Sequence, residues 1–269
     1  MRRQKVVAGC GDSLLDAMAA GEIVAIALAG LAAGMINTVV GSGTLITFPV
    51  LLAFGYAPVR ANVSNTVGLV PGSVSGAIGY RRELTGQRAR ALRFGAVSVA
   101  GGITGAVLLL ALPASAFKAI VPVFIALALV LTVLQPRIAA WLVHRQIDLE
   151  RSRAGALTLL GVYLTGVYGG YFGAAQGIML LAILGVALAQ DLQRTNALKN
   201  VLAGLVNGVA GVFFILFAPH VVWGAVAIIA GSSIVGAQLA ARYGRGLPDR
   251  ALRALIVVVG VLAIIDLIA

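Results

Sequence analysis

The sequence contains one cysteine and two histidines in 269 residues, which limits the chemistry available to it. Cys10, His144 and His220 supply too few soft ligands for a disulfide framework or a cysteine and histidine metal site. We therefore expect no redox or zinc chemistry and no bound cofactor.

Charged residues are also scarce, at 11% of the chain, whereas an average soluble domain has about 25%. Hydrophobic residues make up 60% of the sequence and the mean hydropathy is +1.02, which excludes a water-soluble fold. Aromatic residues account for only 6%, so the apolar content is mostly Ala, Val, Leu and Ile, alongside 34 glycines. This composition favours helices that pack closely against one another in lipid.

Acidic residues are the rarest charged group, and their positions argue against an enzyme. All nine fall in predicted tails, loops or span ends, where they cannot assemble a catalytic set or a buried carboxylate proton relay. They are Asp12, Asp16, Glu22, Glu83, Asp148, Glu150, Asp191, Asp249 and Asp266.

The net charge of +11 comes from arginines in short runs between long apolar segments, which is a topology signal rather than a nucleic-acid-binding face. The arginine-rich loops 81–93, 135–153 and 242–253 are predicted to be cytoplasmic, because positive loops stay inside. The uncharged connectors near Pro113 and Pro219 are then predicted to face outside.

Two charge-free stretches, residues 23–59 and 154–190, are each 37 residues long. As one helix, either would be about 55 Å long, too long for one crossing of about 30 Å and slightly short for two crossings with a turn. Glycine-rich breaks at 41–43 and 173–177 indicate a full span followed by a short or re-entrant helix.

The predicted fold is therefore an all-α polytopic membrane protein with eight full spans plus two short or re-entrant helices. The short helices are predicted at 44–55 and 178–189. The full spans are predicted at 22–40, 61–80, 91–112, 115–134, 154–172, 197–217, 221–241 and 250–268, with Pro113, Pro136, Pro219 and Pro248 between or just outside them.

The two halves of the chain also match each other. Gly41 lies over Gly177 at an offset of 136, and Asn65 lies over Asn200 at an offset of 135. If each short helix completes a crossing, every half has five segments, and an odd number inverts the second half, as in many secondary transporters. The predicted organisation is a tail at 1–21, a first repeat at 22–134, a basic cytoplasmic loop at 135–153 and a second repeat at 154–269.

The first group of candidate substrate-binding residues lies at the first break and comprises Asn37, Gly41, Ser42, Gly43 and Thr44, with Gln176 and Gly177 at the second break. A broken helix leaves backbone N–H groups free at membrane depth, and such a helix start binds anions without a charged side chain. The alternative is that the glycines only allow close helix packing and that Asn37 joins two helices.

The second group comprises Asn62, Ser64, Asn65 and Thr66, matched in the other half by Asn196, Lys199 and Asn200. An intramembrane lysine is costly, so Lys199 is a functional candidate, with snorkelling to the cytoplasmic surface as the alternative. Lys118 is interpreted as a snorkelling residue, and Ser73, Ser75 and Asn207 as packing residues.

Two segments carry a family resemblance. Residues 30–80, GLAAGMINTVVGSGTLITFPVLLAFGYAPVRANVSNTVGLVPGSVSGAIGY, and residues 195–213, TNALKNVLAGLVNGVAGVF, resemble the sulfite exporter TauE/SafE family of bacterial membrane permeases. The resemblance implies a carrier for sulfite, sulfonates or related organosulfur anions, with sites near the repeated glycine and asparagine motifs. The second half has no GSG run and no proline to match Pro49, so we do not expect a strictly symmetric site.

The functional hypothesis is a secondary transporter that exports a small sulfur-containing anion across the bacterial cytoplasmic membrane. Two alternatives stay open, an anion channel and a membrane scaffold or assembly subunit. The expected partners are a small anionic substrate and membrane lipid, with no nucleic acid, and homo-oligomerisation is left open.

Overall fold

The structure is a computed structural model that describes residues 18–145, 155–188, 190–243, 256–262, 264 and 265. Within these ranges the regular structure is entirely helical, and a further helical segment, α10, covers residues 256–262. The other helices are α1 (Ala20–Val39), α2 (Thr44–Ala53), α3 (Pro58–Gly79), α4 (Arg88–Ala111), α5 (Ala114–Arg145), α6 (Ala156–Tyr171), α7 (Gln176–Ala187), α8 (Leu192–Phe217) and α9 (Trp223–Tyr243).

Five of the described helices, namely α1, α4, α5, α8 and α9, are long and apolar enough to cross a membrane. Large apolar side chains point outward from the bundle, including Leu157, Leu92 and Leu216, which are 83%, 65% and 68% exposed. Outward-facing leucines suit a lipid environment because lipid, unlike water, carries no penalty for them. The prediction of a polytopic α-helical membrane protein is confirmed.

The basic loop predicted at 135–153 is wrong over its first part, because α5 continues to Arg145 with Pro136 inside it. The reason is packing on the apolar residues beyond the proline. Leu142 is completely buried, and a Cβ at Gly185 of α7 would lie 2.6 Å from its side chain. Helix α1 begins at Ala20, two residues before the predicted start of the first span at residue 22. Residues 1–17, 146–154 and 244–255 lie outside the described ranges.

Both predicted breaks are present and share one backbone pattern. In the first, the N–H groups of Val40 and Gly41 both donate to Ile36 O; in the second, those of Phe172 and Gly173 both donate to Tyr168 O, 132 positions later. Gly41 and Gly173 have φ values of +91° and +79°, which side chains other than glycine rarely adopt. The predicted offset of 136 is wrong here because α1, with 20 residues, is one turn longer than α6, with 16.

Close glycine contacts fix the directions of the helices. Gly30 and Gly34 of α1 face Ile229 and Ser233 of α9, so these two helices run parallel. Helix α3 is parallel to α1 and α9, because its successive glycines face residues of α9 whose numbers rise in the same direction. Helices α4 and α6 form a second parallel pair.

Helices α3 and α8 are antiparallel and cross near their middles. Ser73 of α3 accepts a hydrogen bond of 3.1 Å from Asn207 Nδ2 of α8. At one end of the pair, the side chain of Arg194 donates to Thr85 O over 2.9 Å. At the other end, Val222 N donates to Ser64 Oγ over 2.9 Å.

Candidate anion-binding site

The two breaks touch through their backbones. Gly177 N donates a hydrogen bond of 3.1 Å to Gly41 O. A Cβ at Gly177 would lie 2.5 Å from Gly41 Cα, and one at Gly41 would lie 2.4 Å from Gly177 Cα. Each position therefore has room only for glycine, so the packing role considered for these glycines is real, and it places the starts of α2 and α7 side by side.

The starts of α2 and α7 have no side-chain cap, like those of α1, α3, α4 and α6, whereas Asp191 caps the start of α8 by accepting from Arg194 N. The helix dipole makes both starts positive. The first N–H groups of α7 are already bonded, because Gln176 N donates to Gly173 O, Gly177 N to Gly41 O, and Ile178 N and Met179 N to Ala175 O. Two side chains add free donors. Ser42 and Gln176 are 1% and 3% exposed, and Ser42 Oγ and Gln176 Nε2 have no hydrogen-bond partner among the described residues.

Asn65 joins the start of α2 to α3. Its Oδ1 accepts from Thr47 Oγ1, and its Nδ2 donates to Thr44 Oγ1 over 3.3 Å. Gly43 lets α2 approach α1, since a Cβ there would lie 2.5 Å from Ala33 O. Asn65 therefore bonds two hydroxyls in the first turn of α2.

Lys199 of α8 packs against the C-terminal end of α1 and is completely buried. Its Nζ donates to Asn37 O over 3.2 Å and to Thr38 O over 3.4 Å. Thr38 O also accepts from Asn200 Nδ2 at 3.1 Å and Asn196 Nδ2 at 3.3 Å. A cation at the negative end of a helix dipole is favourable. The snorkelling alternative is wrong because the ammonium faces main-chain carbonyls inside the bundle.

Not every candidate residue joins these groups. Ser64 faces the start of α9, where its hydroxyl accepts from Val222 N, and it is separate from the breaks. Thr66 is 6% exposed. Asn37 Nδ2 donates to Ser73 Oγ over 3.3 Å, so this side chain joins α1 to α3 as the packing alternative proposed. Ser75 bonds Ile234 O, consistent with its interpretation as a packing residue.

Two features escaped the sequence interpretation. Thr47 was not a candidate, although a second hydroxyl three residues after Thr44 in an apolar helix was a usable signal. Glu22 was placed at a span end with the other carboxylates, but it is only 2% exposed and accepts a hydrogen bond of 2.5 Å from Tyr56 OH. The partner lies 34 positions away, so only the folded hairpin brings the pair together.

Apolar spans and two interrupted helices define a multi-pass helical membrane protein. The model of the family described as Sulfite exporter TauE/SafE matches residues 26–267, and the chain belongs to that family.

Named relatives agree with this class. The chain is 30% identical over 244 residues to the probable membrane transporter protein ORF9 of Sinorhizobium sp, covering 90% of each chain. It is 24% identical over 229 residues to the probable membrane transporter protein YfcA of Escherichia coli strain K12, covering 84% of this chain and 82% of YfcA. A probable membrane transporter protein of Haemophilus influenzae is 26% identical over 218 residues, covering 79% and 81%.

No solved structure matches the chain significantly. The family and its relatives identify the chain as a multi-pass transporter of the cell membrane.

Proposed function

We propose that the protein exports a small sulfur-containing anion, such as sulfite or an organosulfonate, through a site between the starts of α2 and α7. The observation that carries this proposal is the pair of buried helix starts that meet at the Gly41 and Gly177 contact, beside the donors of Ser42 and Gln176 that have no partner among the described residues. The description of the family supplies the class of substrate.

The electrostatics of this site favour an anion. Each helix start is equivalent to about +0.5 of a charge, and the ends of α1 and α6 at the same breaks are each equivalent to about −0.5. Lys199 offsets the negative end of α1 with a buried ammonium that is bonded to Asn37 O and Thr38 O, so the positive starts of α2 and α7 are opposed only by the end of α6. Neither break contains an acidic residue that would compete for these donors. Oxyanions also accept several hydrogen bonds at once, which suits convergent N–H and O–H donors.

The proposed architecture is two inverted repeats, at 22–134 and 154–269, with eight full spans and two short helices. It is supported by the directions of matched helices. Helices α1 and α3 run opposite to α6 and α8, and α9 runs opposite to α4. In such transporters the substrate site lies at the repeat interface near the bilayer midplane, and the repeats rock around it.

A thermal-shift panel of sulfite, a sulfonate, sulfate and chloride on the purified protein tests this proposal. A ligand at 100 times its dissociation constant stabilises a protein by about 2.7 kcal/mol, which is measurable. Ser42→Ala and Gln176→Ala should each raise the dissociation constant of the stabilising anion about tenfold, since a hydrogen bond to a charged group is worth about 1.5 to 3 kcal/mol.

Ser98→Ala is the matched control, because Ser98 is also fully buried and its hydroxyl also has no partner among the described residues, but it lies on α4 away from the breaks. The proposal fails if no sulfur anion stabilises the protein, or if Ser98→Ala weakens binding as much as the other two variants.

A further inference from the structure

A matched pair of asparagines lies at the ends of the two broken helices. Asn62 of α3 donates from Nδ2 to Tyr171 O at the end of α6, over 2.9 Å. Asn196 of α8, 134 positions later, donates from Nδ2 to Thr38 O near the end of α1, over 3.3 Å. Both side chains are buried, at 0% and 6% exposure, and the Oδ1 of each has no partner among the described residues. Each helix end therefore carries an unused side-chain acceptor.

The main-chain acceptors differ between the two ends. At the end of α1, Asn37 O and Thr38 O both receive the ammonium of Lys199. The carbonyls 132 positions later belong to the buried Gly169 and Gly170. The N–H groups of Phe172 and Gly173 both go to Tyr168 O, and in the described part of the chain no other donor reaches Gly169 O or Gly170 O.

Among the residues that the structure describes, no side chain supplies a positive charge at the end of α6. The residue 134 positions before Lys199 is Asn65, whose amide is already bonded to Thr44 and Thr47. Buried carbonyls without partners are costly because they lose their hydrogen bonds to water and gain none in return. The end of α6 is thus a buried, negative helix terminus whose oxygens on Gly169, Gly170 and Asn62 have no donor among the described residues.

We propose that the end of α6 binds one sodium ion through Gly169 O, Gly170 O and Asn62 Oδ1. Oxygen-only acceptors at a helix C-terminus suit a hard cation, and without a carboxylate the charge suits a monovalent one better than calcium or magnesium. The ion takes the place that the Lys199 ammonium has at α1. Lys199 cannot leave the end of α1, because it is part of the chain. We expect the sodium ion likewise to stay bound at the end of α6, where it stabilises the second break.

This ion also lies beside the anion site. A Cβ at Gly169 would be 2.4 Å from Gln176 Cδ. The side chain of Gln176 therefore packs directly against Gly169, whose carbonyl is one of the proposed sodium ligands. The sodium proposal nevertheless stands on the described oxygens alone and does not depend on which anion is transported.

Binding of radioactive ²²Na⁺ to the purified full-length protein tests the proposal directly, in choline chloride without any sulfur anion. We expect saturable binding of about one ion per chain and a higher Tm in sodium chloride than in choline chloride at equal ionic strength. Asn62→Ala should weaken ²²Na⁺ binding at least tenfold. Asn196→Ala, which removes the matched amide where Lys199 already supplies the charge, should leave it unchanged.

Asn62→Asp covers the case in which Asn62→Ala does not fold, since it adds a second oxygen and a negative charge and should bind ²²Na⁺ at least tenfold more tightly. Absence of saturable binding in the unmodified protein overturns the proposal, as does equal loss in the two alanine variants or unchanged affinity in Asn62→Asp. Since no sulfur anion is present, this failure is distinct from a negative anion panel. Potassium in place of sodium shows whether the site selects the smaller ion.

Discussion

Gly177 N donates a hydrogen bond to Gly41 O over 3.1 Å, so the two broken helices meet through main-chain atoms with no side chain between them. A Cβ on either glycine would lie within 2.5 Å of the Cα of the other. The contact fixes the spacing of the starts of α2 and α7, on which the anion site depends.

Gly177→Ala should therefore destabilise the protein by about 1 to 3 kcal/mol, as overpacking typically does, and should abolish most transport. Gly41→Ala should do the same with added strain, because φ at Gly41 is +91°. Thermal unfolding and transport rate are the measurements. Gly208→Ala is the control, since a Cβ there meets nothing within 4 Å. Normal stability and transport in Gly177→Ala would show that the contact is not needed.

The buried ammonium of Lys199 supports the second prediction. Lys199→Ala leaves Asn37 O without its side-chain donor and removes the positive charge at the end of α1, so both stability and anion binding should fall. The expected loss of stability is about 1 to 3 kcal/mol. Lys118 is exposed, and Lys118→Ala should change stability by less than about 0.5 kcal/mol. Thermal unfolding and anion binding of the two variants should be compared, and equal behaviour would remove Lys199 from the functional account.

These two predictions show how far the sequence alone reaches. Glycine runs and an intramembrane lysine are local signals, so the breaks and Lys199 could be located without a structure. Their partners could not, because the contact of Gly41 with Gly177 and that of Lys199 with Asn37 join residues 136 and 162 positions apart. The register also failed, since glycine matching cannot detect that α1 has one turn more than α6.

Topology gives a third prediction. In a Cys10→Ser background, single cysteines at the exposed positions Thr85 and Gly155 should react with a membrane-impermeant maleimide from the cytoplasm. Cysteines at Ala19 and Ala114, also exposed, should react from outside. Ala19 is the most informative position, because the basic residues before it favour the cytoplasm. Labelling of Ala114 and Thr85 from one side would contradict the inverted arrangement.

A carrier and an anion channel differ in exchange behaviour, which gives a fourth prediction. If the protein is a carrier, proteoliposomes loaded with unlabelled sulfite should accumulate external ³⁵S-sulfite by exchange. Proteoliposomes loaded with chloride instead should not accumulate it. Equal passage of unrelated anions would favour the channel. Empty liposomes and proteoliposomes carrying Gly177→Ala are the controls.

The energetics follow from the absence of acidic residues at both breaks. An inside-negative potential favours outward movement of an anion by about 2.3 kcal/mol per charge per 100 mV, which supports roughly a fifty-fold gradient for a monovalent ion. Net export then needs no proton relay. A resident sodium ion does not alter this charge balance, since it does not cross with the anion.

Efflux of ³⁵S-sulfite from proteoliposomes under a potassium and valinomycin potential tests the central claim most directly, with sodium and pH equal on both sides. The account predicts flux well above that of empty liposomes, a direction that reverses with the potential, and strong reduction by Ser42→Ala and Gln176→Ala but not by Ser98→Ala. Absence of sulfite flux, or flux that follows an imposed pH gradient and ignores the potential, would contradict it.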